Sequence, residues 1–327
     1  MFSGLLPRRA LVLVALAVVL VGVAVAGDGG VVLAGEQALD YPSASDFVAI
    51  ERVPVRAPDP AAGPGASTGS WVSPCGRNEN GHYNRDNVIV SPGQPGMAHH
   101  IHDYVGNVST NAFSTEKNLA RAATTCSNDD TSTYYWPVLQ LLAPEHAGPH
   151  LSAHAERSAP LLPASVLVRF GGNPHAKVFA MPRFLRVVTG NLKALTQPVP
   201  GLPGPQWTCS GATDRRTPRY PLCPPGERVV RIFDFPSCWD GARLDSPTHR
   251  AHVVFPVGDG ACPAATFPIP RLRVELSYSV PPGRSFAVDT LPEQRRSPLT
   301  DHADFINVMP DSMMARLVDC LNSGRHC

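Results

Sequence analysis

Histidine is the residue type whose placement in this chain could do chemistry. The densest run is Met97-Ala98-His99-His100-Ile101-His102-Asp103-Tyr104. On an extended backbone side chains alternate, so His100 and His102 project from one face. Two imidazoles held that way could converge on a metal ion, relay a proton or bind an anion. A second pair, His302 and Asp304 in Asp301-His302-Ala303-Asp304-Phe305, has the same i, i+2 spacing. A carboxylate beside an imidazole orients the ring, raises its pKa and suits it to general-base work or metal ligation. Solvated histidines on a strand edge, or a polar turn before the last helix, would present the same residue types without a site.

Two further stretches carry candidates. Phe235-Pro236-Ser237-Cys238-Trp239-Asp240-Gly241 is followed by Thr248-His249-Arg250-Ala251-His252. Asp240-Gly241 is a turn signal beside a cysteine, which would hold Trp239 and Asp240 rigidly. His249 and His252 have ligand spacing only on a helix, which Pro247 disfavours. The other stretch, Asp129-Asp130-Thr131-Ser132-Thr133-Tyr134-Tyr135-Trp136-Pro137, offers aromatic faces for stacking on sugar rings, with Asp130 to bond hydroxyls. The competing role for these aromatics is core packing. Gly65-Ala66-Ser67-Thr68-Gly69 matches a nucleophile-elbow pattern but falls in the expected spacer, with no strand before it or helix after it. His146, His150 and His154 have helical spacing broken by Gly148-Pro149. No phosphate-cradling glycine loop occurs, so nucleotide cofactors are not indicated.

The elements that must position these residues read as short strands. Thirty-five prolines in 327 residues disfavour long helices. The clearest strand is Arg271 to Val280, where Leu272, Val274, Leu276, Tyr278 and Val280 alternate with polar residues. Ser165–Phe170, Arg183–Thr189, Arg228–Phe235 and Ala251–Val257 are further strand candidates. A short helix is expected over Thr115–Thr124, capped by Ser114. A longer one is expected over Asp311–Asn322, where Met314, Leu317, Val318 and Leu321 follow helical spacing. The fold class is therefore mainly β: a sandwich or jelly-roll-like domain with long Pro/Gly-rich loops and few short helices, one of them C-terminal.

The compartment is read from the leader and the cysteines. Arg8 and Arg9 precede a charge-free apolar run from Ala10 to Ala26, and Ala24-Val25-Ala26 offers a signal-peptidase pattern. Residues 1–26 are thus a signal peptide or a single membrane anchor, and residues 27–70 a Pro/Gly/Ala-rich spacer. Residues 71–327 form the extracytoplasmic domain. All eight cysteines fall in that last part and no C-x-x-C pair is present, so disulfides are expected rather than a zinc ribbon. Short loops favour Cys209–Cys223, Cys238–Cys262 and Cys320–Cys327, which leaves Cys75–Cys126. Lys and Arg total 28 against 27 Asp and Glu, without a basic run, so nucleic acid is not an expected partner. Membrane contact is expected only through residues 10–26.

Several separated motifs together resemble a known family. Gly81-His82-Tyr83-Asn84, Val88-Ile89-Val90-Ser91-Pro92-Gly93 and His99-His100-Ile101-His102-Asp103-Tyr104-Val105-Gly106-Asn107 come first. Tyr135-Trp136-Pro137, Pro236-Ser237-Cys238-Trp239-Asp240-Gly241, His249-Arg250-Ala251-His252 and His302-Ala303-Asp304-Phe305-Ile306-Asn307 follow in order. The set is similar to the secreted domain-of-unknown-function family numbered nineteen ninety-six, over about Cys75 to Cys320. The family brings no activity with it. Its fungal members are often joined to WSC modules thought to bind glycans, which implies a cell-wall setting by association only. Val308-Met309-Pro310 stands where a Gly-Trp-Asp-like stretch is common.

These residues support three expectations of function. The first is a carbohydrate-active protein of the cell envelope, a polysaccharide hydrolase or lyase acting on a cell-wall polysaccharide. Its acid–base groups would come from His100, His102, Asp130, Asp240, His302 and Asp304. Tyr135, Trp136, Trp239, His249 and His252 would line its substrate site. The second is a non-catalytic copper- or zinc-binding module built on His100, His102 and His302, with Asp304 as a further candidate ligand. The third is a wall-associated structural or sensing protein.

Overall fold

Proline frequency breaks the chain into short strands, and loops carry it from one to the next. The computed structural model describes residues 42–142 and 160–327. The leader and the spaced histidines His146, His150 and His154 lie outside the described residues. In the first half the strands are β1 (Phe47–Ala49), β2 (Ser70–Ser73), β3 (Tyr83–Asn84), β4 (His102–Gly106), β5 (Thr133–Pro137), β6 (Leu139–Leu141), β7 (Ser165–Gly171) and β8 (Arg186–Gly190). Then follow β9 (Gln206–Cys209), β10 (Tyr220–Leu222), β11 (Val229–Asp234), β12 (Cys238–Trp239), β13 (Val253–Val254), β14 (Phe267–Pro268), β15 (Arg271–Tyr278), β16 (Phe286–Val288) and β17 (His302–Ile306). The α-helices are α1 (Glu116–Leu119) and α2 (Asp311–Asn322).

Two five-stranded antiparallel sheets dominate, with strand orders β2-β7-β15-β11-β9 and β3-β4-β5-β17-β8. Their inner faces share one core. From the first sheet come Val168, Phe170, Phe233, Leu272, Val274, Leu276 and Tyr278; from the second, Val105, Tyr134, Trp136, Val187, Ala303 and Phe305. The alternation expected over Arg271–Val280 is borne out as far as Tyr278, where β15 ends, every second residue being buried. Phe305 stacks on Tyr134 at 5.1 Å and meets Phe170 at 6.1 Å and Phe235 at 6.2 Å across the sandwich. Burying each large apolar side chain of this core contributes roughly 1.5–3 kcal/mol.

The second sheet is covered on its outer face as well. There Tyr104, Tyr135, Val188 and Ile306 pack under Val88, Ile89, Leu119 and Val308. That cover comes from the loop after β3, from α1 and from the segment after β17, and it leaves part of the outer face to polar residues.

The four disulfides are Cys75–Cys126, Cys209–Cys223, Cys238–Cys262 and Cys320–Cys327, the pairing expected from loop lengths. They point to an extracytoplasmic protein. No helix among the described residues is long and apolar enough to cross a membrane. α2 occupies the expected span, although Pro310 rather than Asp311 is its N-cap residue. α1 is a single turn capped by Thr115, whose side chain accepts from Asn118 N, so the short helix is shorter and starts one residue later than its spacing suggested. Residues 47–53, within the stretch assigned to the spacer, are built into the body. β1 pairs in parallel with β10, and Val48, Ile50 and Val53 cluster with Cys209.

Candidate metal centre

Strand register brings the two histidine motifs together. β4, β5 and β17 are consecutive in the second sheet, with Tyr104 opposite Tyr135 and Tyr135 opposite Asp304. One step along the same face, His102 is opposite Pro137 and His302 is opposite Gly190. His102 and His302 therefore lean toward each other over the compact ring of Pro137, their ring centroids 5.9 Å apart. His100 joins them from the segment entering β4, which His99 turns with a left-handed φ of 60°. Gly190 is required beside His302: its φ is +77°, and a Cβ there would lie 2.1 Å from Asp301 O and 2.6 Å from His302 Cα.

Backbone carbonyls fix the three rings. His100 Nδ1 donates to Ala98 O at 2.5 Å, His102 Nδ1 to Asp86 O at 2.8 Å and His302 Nδ1 to Thr300 O at 3.0 Å. A carbonyl oxygen only accepts, so each Nδ1 carries the proton and each neutral ring presents a bare Nε2. Those Nε2 atoms converge: His100 Nε2 is 3.0 Å from His102 Nε2 and 3.2 Å from His302 Nε2. All three residues are buried. Burial holds the His102 pKa down to about 3 and the His302 pKa to about 4, and it lowers His100 in the same direction. Three lone pairs thus face one another without a proton between them.

That arrangement can hold a metal ion. Metal–imidazole bonds of about 2.0–2.1 Å place neighbouring nitrogens roughly 2.9 Å apart at a right angle and 3.4 Å apart at the tetrahedral angle. The two observed separations fall in that interval. Imidazole nitrogens suit a transition-metal ion, and the carbonyl bonds to Nδ1 are the outer support such ligands need. Among the described residues a second cluster of ligand-type atoms, Cys75, Cys126 and Asp130, contains a disulfide and has no free thiolate to offer.

His100 and His302 open onto a cleft of about 920 Å³, also lined by Arg85, Asn87, His249, Arg250 and Asp304. Asp304 is buried, and neither carboxylate oxygen has a hydrogen-bond partner among the described residues. Burial pushes its pKa up to about 7; Asn87, short of hydrogen-bond geometry, together with Arg250 and His249 pulls the other way. Tyr135 lies behind, its ring 5.1 Å from His102 and its hydroxyl donating to Asn87 Oδ1 at 2.9 Å.

Of the remaining expected site residues, His249 reaches the cleft and the others are engaged elsewhere. Asp130 accepts from Tyr134 Oη at 2.6 Å and from Ser132 N, fixing an inner-face tyrosine. Asp240 closes a turn by accepting from Ala242 N, Arg243 N and Arg243 Nε. Trp239 donates to Arg243 O on that turn. Tyr135 and Trp136 are fully buried, so neither offers a stacking face. His252 is clamped between Ser246 Oγ and Arg186 O. His249 lines the cleft, paired with Asp245 at 2.9 Å.

The sequence motifs missed Arg85, Asn87, Lys193 and Arg250 as parts of the site. Arg250 stood in a quoted motif, but only as a neighbour of two histidines. Its guanidinium donates to Gly190 O at 2.5 Å, which ties it to the residue opposite His302.

Comparisons with curated proteins and with solved structures gave no match. A family model, Domain of unknown function (DUF1996), matches residues 87–308, a span that contains all three converging histidines, Asp304 and Arg250. By that match over more than half of its length, the chain belongs to the DUF1996 family.

Proposed function

We propose that this protein is an extracytoplasmic metalloprotein in which His100, His102 and His302 hold one zinc or copper ion at the wall of a ligand-binding cleft. One observation carries the proposal: three Nε2 atoms converge at 3.0 and 3.2 Å while every Nδ1 is committed to a carbonyl. Without a cation, that convergence opposes three lone pairs in a buried site, which costs free energy. Three protein ligands leave a coordination position facing the cleft, the arrangement of catalytic rather than structural zinc sites. An ion bound there would supply Lewis-acid chemistry to a ligand in the cleft.

A second reading, polysaccharide cleavage in the cleft, draws support from Asp304. Its unpartnered carboxylate lines the same cleft as His100 and His302, where it could take or give a proton. Asp130 and Asp240, engaged elsewhere, have no part in it. Elemental analysis of untagged protein, folded with its disulfides intact, tests the main proposal. About one zinc or copper per chain is expected, with loss of that metal in His102→Ala. Metal-free protein that also fails to take up either ion at micromolar concentration would refute it.

A further inference from the structure

We infer that the cleft takes a ligand bearing an oxyanion, a carboxylate or a phosphate, with Arg85 and Lys193 as its principal contacts. The inference rests on the metal-centre proposal for where the ligand's reacting part would lie.

The cations of the cleft surround the histidines because they are anchored to the same backbone. Arg85 O accepts from Ala98 N at 3.0 Å, and Ala98 O is the acceptor of His100 Nδ1. Asp86, the next residue, gives its carbonyl to His102 Nδ1. Arg250 is bonded to Gly190 O, opposite His302, and Lys193 stands in the turn that follows Gly190. Three segments thus deliver Arg85, Lys193 and Arg250 to one cleft.

Little offsets them. Among the described residues that line the cleft the only carboxylates are Glu293, on the exposed rim, and buried Asp304. The side chains of Arg85 and Lys193 have no hydrogen bond or ion pair among the described residues, so their donors are free for a ligand. A divalent ion on the histidines would raise the positive charge further, and an anionic ligand would relieve it. A guanidinium binds a planar carboxylate or a phosphate through paired N–H donors. Neutral sugars are the poorer fit, because no Trp, Tyr or Phe among the described residues lines the cleft to stack on a pyranose face.

Calorimetry on the full folded domain, loaded with its metal, tests this with three probes: oligogalacturonate, a neutral dextrin of matched length, and inorganic phosphate. Metal content is measured on the same samples. We expect oligogalacturonate or phosphate to bind, with affinity falling as salt rises and at least tenfold lower in Arg85→Ala/Lys193→Ala. Because only the backbone of those two residues supports the fold, the double variant should keep its metal and its melting temperature. Binding by phosphate alone assigns the oxyanion to a small ligand, and binding by the oligomer assigns it to an acidic polymer. Equal binding of dextrin and oligogalacturonate, no binding of either anion to metal-loaded protein, or unchanged affinity in the double variant overturns the inference. Metal-free protein that still binds anions through Arg85 and Lys193 would refute the metal centre and leave the anion site standing.

Discussion

His100 Nε2 lies 3.0 Å from His102 Nε2 although the proton of each ring is committed to a backbone carbonyl on its other side. Two neutral imidazoles in that orientation repel unless a cation lies between them. The β4 register and the left-handed turn at His99 enforce the approach, so the fold builds the repulsion in and a bound metal ion would relieve it. Adding zinc or copper to apoprotein should therefore raise its melting temperature by several degrees, as binding to the native state alone requires. His100→Ala should abolish the rise. Differential scanning fluorimetry decides, and an equal rise in His100→Ala would place the ion elsewhere.

Gly190 supports His302 by having no side chain. Gly190→Ala would set a Cβ against Asp301 O and His302 Cα at a left-handed φ. The expected loss is about 2 kcal/mol or more in denaturant unfolding, accompanied by weaker metal binding because His302 must move. A stable variant with full metal affinity would contradict this.

His100-Ile101-His102 and His302-Ala303-Asp304 stood out as candidates because period-two spacing puts such pairs on one face of a strand, although His100 itself lies before β4 and is brought in by the turn at His99. Strand order was not legible, so the meeting of β4 and β17 across β5 appears only in the fold. The aromatics misled for a related reason. Tyr134, Tyr135 and Trp136 alternate across β5, and a sheet with one wet face would have exposed Tyr135. The cover from Val88, Ile89, Leu119 and Val308 buries that face too, and it comes from loops whose path no periodicity encodes. Arg85, Lys193 and Arg250 were hidden likewise, since loop cations carry no pattern. Disulfide pairing and α2 were readable because both depend on short-range spacing.

Arg231 and Asp301 form a wholly buried ion pair at 2.5 Å, and Asp301 Oδ1 also accepts from His302 N at 3.1 Å. Arg231 additionally donates to Pro137 O and Tyr278 Oη. Arg231→Met strands a buried carboxylate beside His302, and a loss of about 3–5 kcal/mol is expected. Arg231→Met/Asp301→Asn should recover part of it. Urea unfolding measures both, and a single-variant loss below about 1 kcal/mol would show the pair to be dispensable.

Asp103 lies on the inner face of β4, where burial raises its pKa to about 7 although Asn78 Nδ2 donates to it at 2.7 Å. A carboxyl whose folded pKa exceeds its unfolded value stabilises the fold fully below about 4 and loses that contribution as pH rises through about 7. Asp103→Asn removes the ionisation. The melting temperature of this variant relative to wild type should therefore climb by several degrees between pH 5 and pH 8. A difference that is flat with pH, or falls, would show that Asp103 is already ionised at pH 5.

The central claim is that one metal ion sits where three Nε2 atoms meet. Anomalous diffraction from crystals of the domain soaked in zinc or copper, collected on both sides of the metal's absorption edge, tests it most directly. One strong peak is expected about 2.0–2.2 Å from the Nε2 atoms of His100, His102 and His302, absent in His102→Ala crystals. A map without density at that point, from protein whose three rings keep their positions, would contradict it.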